Sequence, residues 1–237
     1  NIQIKFDQIE VDQNNSLIST KGETEIIDNN QIISLKTENI NYDIGKKILR
    51  SSSKSILRDN SNNTFLMGNF NYNKNKNILK IDNLVLKDSQ NNNFKADLAF
   101  VNTKTKKLIG KDIEINLDNK SFNKNNEPRL KGRAVINDDT TTEIKKGIFT
   151  TCKRNDKCPP WQLSAEEIRH DKRKQIINYK NALLKVYDVP VFYFPKFFHP
   201  DPSVDRKSGF LIPTLSETSN SGNYLSLPYF KVLSENK

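Results

Sequence analysis

The sequence predicts an all-β chain, and three observations carry that prediction. Apolar residues alternate with polar ones in many short runs, the period-two pattern of half-buried strands. The runs are divided by Asn-, Asp-, Lys- and Gly-rich breaks at short, regular spacing. Long stretches with helical periodicity are hard to find.

Each element follows from that pattern in turn. Ile2 to Phe6 alternates, and Glu23 to Ile27 does so less cleanly before an Asp28-Asn29-Asn30 turn. Gln31 to Lys36 returns, and Asn62-Asn63 leads into Thr64 to Met67. Ile78 to Leu86 presents Leu79 and Ile81 before the Asn91–Asn93 turn. The next run places Phe94, Ala96, Leu98 and Phe100 on one face, with Lys95 and Asp97 on the other. Ile113, Ile115 and Leu117 alternate with Glu114 and Asn116, and Leu130, Gly132, Ala134 and Ile136 form a further apolar face. Ser164 to Glu167 has the form of a helix capping box. Trp161, Leu163 and Ala165 nevertheless alternate like their neighbours, so a strand is expected there. The strand pairs repeat at roughly 18–22 residues, within the range of stacked β units. Such a stack either closes as a packed sandwich or leaves a trough between two walls, and the small residues Ala96, Gly132 and Ala134 serve both arrangements.

Composition narrows the function. Hydrophobic residues are 35% and charged residues 28% of the 237, so the apolar ones must be used in regular alternation to build a core. No apolar run approaches the ~18 residues of a membrane-spanning helix. No signal peptide is visible, the chain opens on Asn1 and its only methionine is Met67, so it is read as a piece of a longer protein. The net charge of +10 is uneven: residues 145–207 hold 14 Lys and Arg against 7 Asp and Glu. Without aromatic platforms interleaved among the basic residues before Trp161, nucleic-acid binding is not expected. Cys152 and Cys158 enclose five residues. They pair with each other, or each pairs with a cysteine elsewhere in the protein. A zinc site with His170 and His199 is the rival, but the cysteine spacing is too wide, and no metal or other cofactor is expected. Catalysis is not expected either. Adjacent Glu166 and Glu167 point to opposite faces of a strand, and His199, Asp201 and Ser203 alternate in a proline-rich loop that favours turns.

The richest segment is Val186 to Tyr229, dense in aromatics and prolines. Its last two strand-like runs carry Pro213 and Pro228, which remove ladder hydrogen bonds and mark weakly paired strands. Cys158-Pro-Pro-Trp-Gln-Leu-Ser-Ala, Val189-Pro-Val-Phe-Tyr-Phe-Pro195, His199-Pro-Asp-Pro-Ser203 and Arg206-Lys-Ser-Gly-Phe-Leu-Ile-Pro213 together resemble the outer-membrane LPS-assembly family, also called the organic-solvent-tolerance or OstA family. The resemblance covers about residues 150–230; residues 1–149 match only in style.

That resemblance implies an OstA-like open β-jelly roll over residues 1–204, facing the periplasm, followed at 205–237 by the first strands of an outer-membrane β-barrel. It implies no enzyme. It implies lipopolysaccharide transport, with acyl chains received from a periplasmic jelly-roll bridge by strand addition at a sheet edge. Delivery then goes to a barrel that holds a plug lipoprotein. On this reading Leu79, Ile81, Phe94, Ala96, Leu98, Phe100, Ile113, Ile115, Leu117, Ala134, Ile136, Trp161 and Leu163 line a lipid trough. Pro213 and Pro228 border the lateral seam, and Arg206, Lys207, Ser208 and Gly209 form a hinge. Cys152 and Cys158 are disulfide candidates. The alternatives are a stand-alone bridge jelly roll and a binding module for an anionic envelope polymer.

Overall fold

The computed structural model describes residues 2–29, 33–89, 91–117, 127–153, 160–201, 208–211, 214–218, 222–226 and 228–233. The chain is all-β, and among the described residues there is no helix. It forms two compact units, Asn1–Asn116 and Leu117–Lys237.

The first unit contains β1 (Ile2–Asp12), β2 (Leu17–Asp28), β3 (Ile33–Glu38), β4 (Ile40–Asp43), β5 (Ile48–Ser51), β6 (Ser55–Arg58), β7 (Thr64–Met67), β8 (Asn69–Asn73), β9 (Ile78–Lys87), β10 (Asn93–Asn102) and β11 (Leu108–Asn116). Short strands such as β3 and β4 are two halves of one bent rung. The N-terminal half of β2 pairs with β4 and its C-terminal half with β3. β9 pairs with β8 and β7 in the same way. With β5 joining β4 to β8 and β6 joining β3 to β7, the stack becomes two walls that meet along a crease.

The crease is written in backbone conformation. Gly22 (φ 83°), Asn39 (φ 54°), Asn83 (φ 54°) and Asp112 (φ 49°) lie at the bends, in the left-handed region that Gly, Asn and Asp tolerate best. A Cβ at Gly22 would meet Asp7 Oδ2 at 2.3 Å, and that carboxylate accepts the Glu23 N–H at 2.8 Å.

Each bend also breaks the period-two alternation. Inward positions on either side of it are three residues apart: Ile81 and Leu84, or Ala96 and Ala99, all at most 3% exposed. The single face expected for Phe94, Ala96, Leu98 and Phe100 is therefore corrected. Ala99, not Phe100, opposes buried Ile81, whereas Phe100 is 37% exposed and opposes Lys80 and Ile109. The repeat is longer than expected for the same reason, since each rung crosses both walls. Asx residues cap the turns along one lip at Asp12, Asp43, Asn73 and Asn102, accepting the N–H three residues on at 2.8–3.1 Å. Consecutive turns dock on one another: Ile44 N–H donates to Ser16 O, Lys74 N–H to Lys47 O, and Thr103 N–H to Asn77 O, at 2.9–3.0 Å.

In the second unit, β12 (Arg129–Asn137), β13 (Thr141–Thr150), β14 (Trp161–Asp171), β15 (Ile176–Val186) and β16 (Val189–Pro200) form a meander of the same bent rungs. Lys146 (φ 51°) and Asn181 (φ 50°) occupy its bends. The strand expected at Trp161 is present as β14. Pro190 and Pro195 fall in β16, the last rung of the meander, where a missing N–H costs least. Beyond it, β17 (Gly209–Phe210) pairs with β20 (Tyr229–Phe230), and β18 (Thr214–Thr218) with β19 (Gly222–Ser226).

Here the space between the walls is filled. Val135, Ile144, Ile168, Tyr179 and Phe197 on one wall, and Phe149, Leu163 and Leu184 on the other, are each at most 5% exposed. The Phe149 ring reaches across to His199, with centroids 6.4 Å apart.

His199 accepts a hydrogen bond from Tyr179 Oη through Nε2 (2.8 Å) and donates through Nδ1 to its neighbour's carbonyl, Pro200 O (2.6 Å). Burial holds its pKa below 6.5, against a smaller opposing pull from the Pro200 bond and Asp201; the neighbouring His170 adds to the lowering. The folded state thus keeps His199 neutral, while the unfolded chain takes up a proton below about pH 6.5. The stabilisation is present above that pH and is lost as pH falls. The second unit is expected to melt at lower temperature at about pH 5 than at about pH 7.5, and His199→Gln to flatten that dependence. An unchanged slope in the variant would assign it to other groups.

Candidate functional site

The site is built from side chains one step out from the crease in the first unit. At the crease itself, inward residues are buried and partly polar. Thr24 donates to Thr20 (2.8 Å), and Thr37 bonds both Ser51 (3.0 Å) and Ser55 (2.7 Å), knitting the two walls together. Further along, the crease turns apolar at Met67, Phe70, Ile81 and Leu84, which are at most 5% exposed.

Two residues outward on each wall, the register aligns an unbroken apolar row. On one wall it runs Ile4–Ile26–Leu35–Leu57–Phe65–Leu86–Phe94–Ile115. On the other it runs Val11–Ile18–Tyr42–Leu49–Tyr72–Leu79–Val101–Leu108. Each row crosses eight rungs, which at ~4.8 Å per strand gives a length of about 34 Å. Most of these side chains are half-buried, whereas their inner neighbours are fully buried. The walls therefore touch at the crease and leave the rows partly open to solvent, forming a long apolar groove. At one end of the stack lies β1. Its apolar residues Ile2, Ile4, Phe6, Ile9 and Val11 are 42–67% exposed, and β1 is paired only with β2 among the described residues.

The structure sorts the residues singled out from sequence. Leu79, Phe94 and Ile115 lie in the rows, and Ile81, Ala96 and Ile113 at the crease beneath them. Leu98 is half-buried but opposes Asp82 and Lys111. Leu117 begins the second unit and is half-buried. Ala134 is half-buried and Ile136 is 36% exposed, because the bend in β12 puts Val135 inward, opposite Ile144. Trp161 and Leu163 belong to the filled interior. Sequence reasoning missed Leu57, Tyr72 and Val101. Their signal was available only once the bends were known.

The structure places the other candidates as follows. Glu167 pairs with Lys145 at 2.7 Å, and Glu166 accepts a bond from Asn181 at 2.6 Å. Lys145, held between Glu143 and Glu167, has its pKa raised. His170 lies 2.7 Å from Asp201. Among the described residues Cys152 forms no disulfide; its Sγ donates to Trp161 O at 3.6 Å, and the buried Arg129 guanidinium holds the Cys152 carbonyl. Ser208 accepts the Val232 N–H at 2.9 Å, Gly209 packs against Pro200, and the Pro228 carbonyl accepts the Leu211 N–H at 2.8 Å. Cys158, Ser203, Arg206, Lys207 and Pro213 lie outside the described residues.

Fold and groove together define a class: a creased, open stack of bent antiparallel rungs with an apolar inner face. Comparison with known proteins places the chain further. It is 40% identical over 89 residues to the LPS-assembly protein LptD of Yersinia pestis bv. Antiqua (strain Antiqua), covering 38% of this chain and 11% of the relative. It is 37% identical over 99 residues to LptD of Sodalis glossinidius, covering 42% and 12%, and 30% identical over 140 residues to LptD of Pseudomonas putida, covering 54% and 14%. The resemblance seen in the sequence holds, and the chain spans between about a tenth and a seventh of the length of these relatives. No family model matches. Among solved structures, LptH of Pseudomonas aeruginosa, an LptA homologue of a lipopolysaccharide transport device, aligns with a TM-score of 0.41 and 12% identity over 47% of this chain and 82% of its own.

Proposed function

We propose that this chain is the periplasmic part of an LPS-assembly protein, and that its first unit conducts the acyl chains of lipopolysaccharide toward an outer-membrane β-barrel. The observation that carries this reading is the pair of unbroken apolar rows across eight rungs. Each buried methylene contributes roughly 0.8 kcal/mol, so a groove of that length holds hydrocarbon without any catalytic group. The names of the relatives, LPS-assembly proteins, support the same cargo. The proline-bearing runs after residue 205 are the start of the barrel, with Pro213 and Pro228 at its seam and a plug lipoprotein inside the complete barrel.

Photo-crosslinkers at Leu79, Leu86 or Ile115 are expected to capture lipopolysaccharide, and those at Phe100 or Lys95 are not. Capture from the outer positions alone would overturn the groove. Binding that disappears in high salt and ignores acyl chains would point to an anionic envelope polymer instead.

The bare edge of β1 is the docking place for the terminal strand of a periplasmic bridge protein. Among the described residues its outer backbone groups pair with no strand, and it continues both apolar rows. A crosslinker at Ile4 should trap such a partner. Trapping from Phe100 but not from Ile4 would move the junction elsewhere.

A further inference from the structure

The two lips of the groove differ in charge. Along the lip capped by Asp12, Asp43, Asn73 and Asn102, three consecutive turns carry seven lysines: Lys46 and Lys47, then Lys74 and Lys76, then Lys104, Lys106 and Lys107. All seven are exposed, and the turns that bear them are stacked by the Lys74–Lys47 and Thr103–Asn77 backbone bonds. Only Lys46 has a carboxylate partner among the described residues, Asp43 at 3.3 Å. The opposite lip has no lysine in its turns at 59–63 and 88–92. The carboxylates there are consumed locally. Asp59 accepts from Ser61 and Asn63 at 2.9 Å, and Asp88 from Asn92 at 2.8 Å. Each lysine turn sits directly beyond the apolar row Tyr42–Leu49–Tyr72–Leu79–Val101–Leu108.

We infer that this lysine lip is a binding rail for the phosphate groups of a glycolipid whose acyl chains occupy the groove. The inference rests on the lipid-conducting reading above and adds which lip the head group follows. A phosphate bound to ammonium groups on one side fixes the lipid's rotation about its own long axis. The rail repeats every two rungs, about 10 Å, so a head group moving along the groove passes from one turn to the next without leaving positive charge.

The test is Lys74→Gln, Lys76→Gln, Lys104→Gln and Lys107→Gln combined, in the whole chain. These positions avoid the left-handed residues Lys47 and Lys106. Lys95→Gln with Lys111→Gln on outward strand positions is the charge control. A bis-phosphorylated, multiply acylated glycolipid and its dephosphorylated form are bound with a photo-crosslinker at Leu79, in parallel with inorganic phosphate alone. The quadruple variant is expected to lose about tenfold or more in affinity for the phosphorylated lipid and nothing for the dephosphorylated one. The control pair should bind both like the parent. Equal loss for both lipids, no loss for either, or the same loss in the control pair overturns the rail. Binding of inorganic phosphate as tightly as of the phosphorylated lipid also overturns it, making the lip a plain anion site. If the parent binds neither lipid at Leu79, the conducting groove fails first and the rail with it.

Discussion

Aspartate at both Leu79 and Leu86 is expected to abolish capture of acyl chains while the chain stays folded. The two residues sit on the same rung, β9, one on each wall, two positions from the buried pair Ile81 and Leu84 on their own walls. Because they are half-buried, a carboxylate at either position keeps access to water and the fold tolerates it. A hydrocarbon tail in the groove has no such escape. Losing contact with roughly four methylenes at about 0.8 kcal/mol each amounts to about two-hundredfold in affinity. Binding of a fluorescent acyl probe measures this, with melting temperature as the check on folding. Aspartate at Phe100 and Ile109, on the outer face, should leave binding unchanged; an equal loss there would remove the groove from the explanation.

The second large effect concerns Gly147. A Cβ at this position would lie 2.5 Å from Ile168 Cδ1 and 2.9 Å from Cγ1. Ile168 is 2% exposed and lies between Ile144 and Tyr179 in the register, so relieving the contact requires a rotamer change against packed neighbours. Gly147→Val is therefore expected to destabilise the second unit by about 1–3 kcal/mol, the usual cost of overpacking, and to lower its melting temperature by several degrees. Gly147→Val with Ile168→Ala should recover much of the loss. A variant as stable as the parent would mean that the walls close less tightly than these distances show.

Both effects depend on a feature that alternation cannot reveal. Many of the strands were legible, among them Ile78–Lys87, Asn93–Asn102 and Arg129–Asn137, whereas Thr141–Thr150 and Ile176–Val186 were not read from the alternation. Trp161–Asp171 was recognised as a strand against the competing capping-box pattern, because its neighbours alternate. The inward positions were legible only up to the first bend of each rung. Ile81 and Ala96 were found; Leu84, Ala99 and Val135 were not, because the bend in each rung, at left-handed Asn83 in the case of Leu84, shifts the pattern by one and a period-two count carries straight through it. A signal for the repeat did exist. Asp12, Asp43 and Asn73 are each followed, five residues later, by a pair of aliphatic residues: Leu17-Ile18, Ile48-Leu49 and Ile78-Leu79. That recurrence at about thirty residues marks one lip of the stack and fits known repeat periods.

The sequence by itself determined that this chain is built of strands, that they are separated by Asn- and Asp-rich turns, and that its aromatic, proline-rich end resembles the LPS-assembly family. These are local matters: period-two patterning, the tolerance of Asn and Asp for turns, and short motifs. Only the tertiary structure decided where each rung folds back on itself. It also decided which leucine joins which row, and why one unit keeps an open groove while the other fills with Phe149, Trp161, Tyr179 and Phe197. The physical reason is that a groove is a relation between two walls. Whether facing side chains meet depends on the register and bend of every rung, and no single strand contains that information.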